Sequence, residues 1–245
     1  MNNYFKNIKY VDVIESTNKE LKKDIYQDYD NYVLISNYQT EGRGRLGRTF
    51  VSNKDAGLYM SIRIKPNVEI SVLQNLTCVV AAITALSIEE QIKKSVDIKW
   101  VNDIYLNNFK IAGILVESKL NLKENKFDYL VIGIGINLYN QEFDHTLSLT
   151  ASSVETQTGQ RISKEKLIES ILQKLSIYLQ NFDSKEYMKE YISRNLVIGK
   201  KIKLMLSSEL IECSVINITE HGELIINHNN TIRTITSGEV LKTYL

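Results

Sequence analysis

The spacing of hydrophobic and polar positions changes along this chain, and the changes predict a mixture of strands and helices. Short apolar runs bounded by polar residues predict strands at residues 10–14, 32–36 and 58–64. A segment from residue 70 to about residue 95 is apolar through its middle and charged at its end, which predicts a long helix. Residues 164 to about 195 are predicted to form two more helices.

Turn residues and polar stretches locate the connections between these elements. A long polar loop is predicted from residue 37 to about residue 56. Residues 97–100 and 103–118 are predicted to form strands, with Asn107-Asn108 at a hairpin turn. Residues 127–138 are predicted to form a buried strand that runs into a glycine-containing loop.

The segment STNKELKKDI, which follows the first strand, predicts a helix with a defined start. Ser16 or Thr17 is the expected N-cap, and Glu20 stands at the spacing of a capping box. Free backbone amides at such a helix start also bind polar or anionic groups. Plain capping and ligand binding explain the Glu15-Ser16-Thr17-Asn18 segment equally well at this point.

The pattern becomes short and strand-rich from Gly199 to the end, with turn residues such as His221-Gly222 and Asn229-Asn230 between the runs. Such a pattern predicts a small β-barrel appended to a larger α+β domain. We therefore expect a catalytic domain at residues 1–195 and a small β-domain at residues 196–245.

Composition narrows the functional classes without selecting one. Of the 245 residues, 43% are hydrophobic and 24% are charged, and the formal net charge is +1. Overall charge therefore gives no argument for binding nucleic acid or membranes. Cys78, Cys213 and the three histidines show no ligand-like spacing, so a structural metal is not expected. No signal-peptide core and no membrane-spanning stretch are expected, which makes the cytoplasm the default location.

A basic glycine loop, Gly42-Arg43-Gly44-Arg45-Leu46-Gly47-Arg48, contains the spacing GxGxxG. A dinucleotide fingerprint needs a helix directly after the glycines, whereas this loop is followed by RTFVSNKDAG and then by a strand. The loop instead suits an anion, since glycines admit a ligand close to the backbone and three guanidiniums can contact phosphate or carboxylate. A solvated basic loop, or one that touches nucleic acid, stays open as an alternative.

Two further clusters bear polar side chains at the ends of predicted strands. Antiparallel pairing in KWVNDIYLNNFK would bring Lys110 towards Asn102 and Asp103, although a salt-bridged hairpin with Trp100 in the core explains the same residues. The run Gly133-Ile134-Gly135-Ile136-Asn137 would allow close ligand approach or would form a bulge at a sheet edge.

Each motif is ambiguous alone, but their order over nearly the whole chain resembles the biotin protein ligases. The order is STN, Q-x-x-GRGRxGR, KW-x-ND, K-x-AGIL, GIGIN and a β-rich tail. The resemblance implies an α+β fold of the class II aminoacyl-tRNA synthetase and biotin ligase type. In that fold a mixed β-sheet is flanked by helices and followed by a C-terminal SH3-like β-barrel. It also implies two reaction steps with biotin and ATP as substrates and Mg²⁺ as cofactor. Biotinyl-5′-AMP forms first, and the biotinyl group then passes to a lysine of a carrier protein.

The resemblance assigns roles to individual residues. It implies that Lys110 contacts the biotin carboxylate, that Asp103 assists the acceptor amine, and that Arg45 acts with them. The residues implied to bind biotin or the adenylate are Ser16, Thr17, Asn18, Gln39, Gly42, Arg43, Gly44, Arg45, Arg48, Phe50, Asn102, Lys110, Gly113, Gly135 and Asn137. No residue is implied as a metal ligand.

Two residues of this chain depart from the family pattern. Val101 stands where the family usually has proline, and Phe50 stands where tryptophan often stacks on adenine.

Fifteen residues precede Ser16, too few for the winged helix-turn-helix of many relatives, so no DNA-repressor activity is expected. The expected partner is a biotin carboxyl carrier domain, and homodimer formation is left open. A lipoate or octanoate ligase and a non-catalytic biotin or nucleotide sensor are the alternative functions.

Overall fold

The computed structural model describes residues 4–207 and 209–244. Its strands in chain order are β1 (Ile8–Ile14), β2 (Asn31–Gln39), β3 (Gly57–Ile64), β4 (Asp97–Lys99), β5 (Asp103–Leu106), β6 (Phe109–Asn121), β7 (Lys126–Asn137), β8 (Lys201–Met205), β9 (Leu210–Ile218), β10 (Leu224–His228), β11 (Thr231–Ile235) and β12 (Glu239–Thr243). Its α-helices are α1 (Thr17–Leu21), α2 (Leu76–Ile92), α3 (Val154–Thr158), α4 (Lys164–Asn181) and α5 (Lys185–Ser193).

Seven strands form the main sheet, in the order β1-β2-β3-β7-β6-β5-β4. Strand β1 pairs with β2 in parallel, and every other neighbouring pair is antiparallel. The predicted mixed sheet flanked by helices is therefore confirmed. The predicted hairpin is also present, since Asn107 and Asn108 join β5 to β6 with φ values of 51° and 67°.

One face of the main sheet packs against α2, and α4 and α5 pack on the outer side of that helix, so that this face carries most of the hydrophobic core. Helix α2 is apolar on all sides through its middle because it lies between the sheet and the other two helices. The expectation that no stretch is long and apolar enough to span a bilayer was wrong, because the helical segment Ile70–Ile92 has the necessary length and composition. Of the most apolar part of that segment, 67% is buried inside the protein, where it contributes to the hydrophobic core.

The opposite face of the sheet carries the short helix α1 and a small cluster formed by Leu21, Tyr26, Leu34 and Val131. Ser16 is the N-cap of α1 and accepts a hydrogen bond from the Lys19 amide. The predicted capping box is wrong, because the residue at its acidic position is Lys19, and Glu20 instead pairs with Lys23. The helix is also shorter than predicted.

Two loop predictions near this face were also wrong. The polar loop begins after Gln39 rather than at residue 37, because β2 continues to that residue. The strand predicted at residues 127–138 is present as β7, but it contains Gly133 and Gly135, which pair with β3 and β6, and it does not run into a glycine-containing loop. Both glycines are therefore part of the main sheet.

The last five strands form a second sheet, in the order β11-β10-β9-β8-β12. Its predicted turn at Asn229-Asn230 is present, with φ values of 50° and 60°. The second sheet contacts the main one through a turn, where the Trp100 indole Nε1 donates to the Gly222 carbonyl at 2.9 Å. Glu239 and Val240 of β12 and Lys99 at the end of β4 line the same cavity.

Candidate active site

A cavity of about 390 Å³ lies over the face of the main sheet that carries α1. Its lining comes from α1, the end of β2, the basic glycine loop, β3 to β7, the segment after β7 and β12. A volume of this order suits a small organic ligand rather than a macromolecular groove. The residues of several distant sequence motifs therefore meet around one cavity.

The register of the strands forms a row of residues across the cavity floor. Paired neighbours along this row are Lys99, Asp103, Gly113, Gly135 and Tyr59. Directly paired residues point to the same face of a sheet. The row therefore has charged groups at one end, glycines in the middle and a phenol at the other end.

A β-bulge between β5 and β6 sets this register. The pairing shifts between Ile104 and Tyr105, so that Gly113 rather than Ala112 lies opposite Asp103. A bulge adds one residue to a strand and re-aims the side chains beyond it. Gly113 leaves room for the Lys110 side chain, because a Cβ at Gly113 would lie 3.4 Å from Lys110 Nζ.

Lys110 and Asp103 form an ion pair at the charged end, with 2.7 Å between Nζ and Oδ1. Both side chains are partly exposed to the cavity, at 31% and 25%. The predicted approach of Lys110 to Asp103 is therefore present. Asn102 lies beside them, where its Nδ2 donates to the Ile114 carbonyl at 3.0 Å.

A buried hydrogen-bonded cluster forms the opposite end of the cavity. The Thr17 amide and hydroxyl both contact Gln39 Oε1, at 2.8 and 3.0 Å, and Ser61 Oγ lies 2.7 Å from the Thr17 hydroxyl. Gln39 Nε2 donates to Ser52 Oγ at 3.0 Å. Asn18 completes the cluster, with its Oδ1 2.5 Å from Ser61 Oγ. This end presents fixed donors and acceptors in a buried setting.

The basic glycine loop covers the cavity and reaches the second sheet. Arg45 donates to Asn102 Oδ1 at 3.2 Å and to the Gly238 carbonyl at 3.3 Å. Arg48 forms an ion pair with Glu239 and donates to it at 2.8 Å. Arg43 is exposed and, among the described residues, forms no ion pair. The loop therefore offers one unpaired guanidinium and two that join it to neighbouring segments.

The Phe50 ring lies directly over Gly135, where the glycine was predicted to allow a ligand to approach closely. A Cβ at Gly135 would lie 2.7 Å from two atoms of the Phe50 ring, which shows how closely the ring covers this glycine. Gly133 is covered in the same way by the Asn18 amide. The glycines of the GIGIN motif therefore accommodate protein side chains, while the phenyl ring lines the cavity.

The cavity lining contains all of the predicted site residues except two. Gly42 packs inside the loop against Phe50 and Ser52 and lines an adjoining space instead. Asn137 is buried and donates from Nδ2 to the Ser152 carbonyl at 3.0 Å, outside the lining. Its place in the structure is to hold the segment after β7.

Several lining residues had no predicted role, among them Tyr59, Ser61, Lys99, Tyr105 and Glu239. Lys99 stood inside a motif but received no role. Tyr59 and Ser61 had a signal in LYMSIRI, where polar residues alternate with apolar ones in a strand. Glu239 gave no signal, because it reaches the cavity only through contact between the two sheets.

Two lining groups have shifted pKa values because they are buried. Burial lowers the pKa of Lys99, against the opposing effect of Asp103 and Glu239. Burial raises the pKa of Tyr105 to about 12, and Asp103 adds to the shift. The Tyr105 phenol therefore stays neutral over the working range, whereas Lys99 loses its proton at a lower pH than an exposed lysine.

We expect the Lys99 shift to appear in the pH dependence of phosphate binding. A lysine binds phosphate when protonated. The affinity for ATP, the phosphate ligand that the family resemblance implies, should therefore decline on the alkaline side, starting below the ordinary lysine range. Lys99→Arg keeps the charge at high pH and should move this decline to higher pH. Measuring the KM for ATP against pH in both proteins tests this expectation, and superimposable profiles would contradict it.

We expect the contact between the basic glycine loop and the second sheet to have a smaller effect on the KM for ATP. Glu239→Gln removes the charge that pairs with Arg48, whose side chain is 63% exposed. Exposed ion pairs contribute about 0.2–1 kcal/mol, so the KM for ATP should rise by no more than about fivefold. Glu212→Gln is the matched control, because Glu212 pairs with Lys203 within the second sheet. Equal KM changes in both variants would exclude a specific effect on the loop.

The chain is similar to known proteins over the residues that form this site. Residues 10–137 match the model of the biotin/lipoate A/B protein ligase family. Over 237 residues the chain is 27% identical to the bifunctional ligase/repressor BirA of Bacillus subtilis, covering 94% of this chain and 72% of that protein. Over 222 residues it is 25% identical to the biotin--[acetyl-CoA-carboxylase] ligase of Mycobacterium tuberculosis, covering 87% of this chain and 80% of that protein.

A solved structure gives the same picture for the fold. The biotin protein ligase from Aquifex aeolicus, in complex with biotin and ATP, matches with a TM-score of 0.80 at 29% identity. The match covers 96% of this chain and 97% of that chain. Since the family model spans just over half of the chain and its residues include the motifs that surround the cavity, this chain belongs to the biotin/lipoate A/B protein ligase family.

Proposed function

We propose that this chain is an ATP-dependent biotin protein ligase, which forms biotinyl-5′-AMP and transfers the biotinyl group to a lysine of a carrier domain. The observation that carries the proposal is one cavity with a buried polar cluster at one end and the Lys110–Asp103 pair at the other. The similarity to proteins named as biotin ligases supports the same conclusion.

The polar end of the cavity favours biotin over lipoate. Biotin ends in a ureido ring with two N–H donors and a carbonyl acceptor, whereas the dithiolane ring of lipoate has none of these groups. Thr17, Asn18 and Ser61 are buried, and Gln39 lies partly exposed beside them. A ureido ring can exchange hydrogen bonds with this cluster, whereas an apolar ring would cover its polar groups without bonding to them. Sites of this kind reject an analogue without the polar groups by about 10⁴-fold or more.

The charged end supports the first reaction step. An oxygen of the biotin carboxylate attacks the α-phosphorus of ATP, a new P–O bond forms, and the bond to pyrophosphate breaks. We assign Lys110 to bridge the carboxylate and the α-phosphate, where negative charge must be neutralised. We assign Arg43, Arg45 and Lys99 to neutralise the remaining phosphates. Holding the two anions in register contributes roughly 7–11 kcal/mol to such a step.

The second step transfers the biotinyl group. A neutral lysine amine of the carrier attacks the carbonyl carbon of the mixed anhydride, and AMP leaves with the electrons of the broken C–O bond. We assign Asp103 to accept the proton that the amine releases. Its ion pair with Lys110 keeps the carboxylate beside the reacting carbonyl. No covalent bond to the enzyme is needed.

Mg²⁺ enters this proposal through ATP. The two carboxylates in the cavity lining, Asp103 and Glu239, already face Lys110 and Arg48. Within residues 4–207 and 209–244, no group of three or more His, Cys, Asp or Glu side chains is arranged to hold a metal ion. Coordination would therefore fall mainly to the phosphate oxygens, where Mg²⁺ offsets charge on the leaving pyrophosphate.

The second sheet has a place in this proposal. We assign its five short strands, β8 to β12, to an SH3-like barrel, with residues 1–195 as the catalytic domain and 196–245 as the appended one. Five antiparallel strands with buried Ile202, Leu204, Leu224 and Ile226 support the assignment. The contacts from Arg45 and Arg48 to this sheet give it a direct effect on the loop over the adenylate.

Exchange of radiolabelled pyrophosphate into ATP tests the proposed function against its rivals. We expect biotin to support exchange and lipoate to support less than about one part in 10⁴ of that rate. Exchange with lipoate but not with biotin would select a lipoate ligase. Binding of biotin without any exchange would select a non-catalytic sensor.

A further inference from the structure

Helix α1 is too short to be stable by its own hydrogen bonds. It has five residues, whereas isolated helices below about 12–15 residues are marginal in water. Its first residues are nevertheless fixed, since Ser16, Thr17 and Asn18 are only 2–4% exposed. Contacts from outside the helix must therefore hold it in place.

Strand β3 carries an unusual polar stripe on the face below α1. Leu58, Met60, Ile62 and Ile64 belong to the main core, while Tyr59, Ser61 and Arg63 alternate with them on the other face. All eight residues of the strand are buried, and Arg63 is 2% exposed. A strand buried on both faces normally carries apolar residues throughout, because burying a charge without partners is costly.

Two residues of the stripe contact α1 at opposite ends. Ser61 Oγ lies 2.7 Å from Thr17 Oγ1 and 2.5 Å from Asn18 Oδ1 at the start of the helix. Arg63 Nη1 donates to the Leu21 carbonyl at 2.6 Å, where the helix ends and leaves carbonyls without intrahelical partners. The Arg63 guanidinium is also stacked 3.9 Å from the centroid of Tyr129.

The contacts at the start of α1 also fix the orientation of the Asn18 amide. Its Nδ2 donates to Glu117 Oε2 at 3.0 Å, and a carboxylate can only accept. The Asn18 Oδ1 must therefore point to Ser61, which donates its hydroxyl hydrogen. The amide cannot rotate without losing both bonds.

We propose that Ser61 and Arg63 are positioning residues that hold α1 from its two ends and thereby fix Thr17 and Asn18 for binding of the ligand ring. The part of this inference that concerns the ligand rests on the proposed function. The part that concerns the helix rests on the contacts alone. Arg63 acts through the helix and does not line the cavity.

Substitutions at the two positions should change KM more than kcat. Arg63→Met and Ser61→Ala should each raise the KM for biotin at least tenfold, with kcat at saturating biotin within threefold. Arg63→Lys keeps a donor for the Leu21 carbonyl and should restore most of the affinity. Arg194→Met is the matched control, because Arg194 is a largely buried guanidinium that pairs with Glu89 on the other face of the sheet. It should lower the melting temperature without changing KM.

Hydrogen exchange in the ligand-free protein gives a readout that is independent of activity. The amides of Glu20 and Lys23 donate to carbonyls of the α1 segment. Their exchange should be at least tenfold faster in Arg63→Met and Ser61→Ala than in the wild type or in Arg194→Met. Unchanged exchange in both variants, or equal acceleration in Arg194→Met, would overturn the inference. A wild-type protein without biotin-dependent exchange of pyrophosphate would refute the proposed function, and the amide exchange would still decide the role of Ser61 and Arg63.

Discussion

Lys110→Ala is expected to lower the rate of biotin-dependent pyrophosphate release by about 10²–10³-fold, the usual loss when a group that stabilises transition-state charge is removed. Lys110 is the cation closest to Asp103, at 2.7 Å, and it projects into the cavity beside Gly113. Without it, the biotin carboxylate and the α-phosphate would approach each other as two uncompensated anions. Rapid-quench measurement of pyrophosphate at saturating biotin and ATP gives the rate.

The fold should survive this substitution. The backbone of Lys110 pairs with Thr150 and Ser152 through its amide and carbonyl, and these bonds do not depend on the side chain. Lys119→Ala is a suitable control, since Lys119 lies on the same strand but is 60% exposed and pairs only weakly with Asp128, at 3.8 Å. Pyrophosphate release at the wild-type rate in Lys110→Ala would refute the role given to this lysine.

Gly133→Ala is expected to raise the KM for biotin by about 10- to 100-fold. An added Cβ would lie within 3.0 Å of the Asn18 amide, which Ser61 and Glu117 hold in place. Overpacking a buried site typically costs about 1–3 kcal/mol, and each 1.4 kcal/mol corresponds to a tenfold change in affinity. Since the displaced group contacts the ligand ring in the proposed complex, the cost should fall on biotin binding. Titration of biotin in the exchange assay measures the change.

A second overpacked variant separates this effect from general destabilisation. Ala85 is fully buried in α2 on the other face of the sheet. Ala85→Val should lower the melting temperature while leaving the KM for biotin unchanged. If Gly133→Ala bound biotin as tightly as the wild type, the cluster around Asn18 would not be the ring site.

Features with a local cause could be predicted from the sequence. The Asn107-Asn108 turn, the strands around it and the two helices after residue 163 depend on neighbouring residues, and the structure contains all of them. The approach of Lys110 to Asp103 followed from the same hairpin. The order of the motifs then indicated a family, which the comparison with known proteins confirmed.

Features that depend on distant partners could not be predicted in this way. The bulge at Ile104 and Tyr105, which brings Gly113 opposite Asp103, leaves no mark in the local pattern. Gly133 and Gly135 are typical of a loop when considered alone, and only the packing of Asn18 and Phe50 explains them inside a strand. The link from Arg48 to Glu239 joins segments 191 residues apart. The roles assigned to individual site residues stay predictions until the substitutions are measured.

The central claim is that this chain transfers biotin to a carrier lysine, and the intact mass of a carrier tests it most directly. A biotin carboxyl carrier domain would be incubated with the chain, ATP, Mg²⁺ and biotin, beside a carrier whose acceptor lysine is replaced by arginine. The account predicts a mass increase of one biotinyl group on the first carrier only, and no increase with lipoate in place of biotin. An unmodified carrier under conditions that support pyrophosphate release, or a lipoyl adduct instead of a biotinyl one, would contradict it.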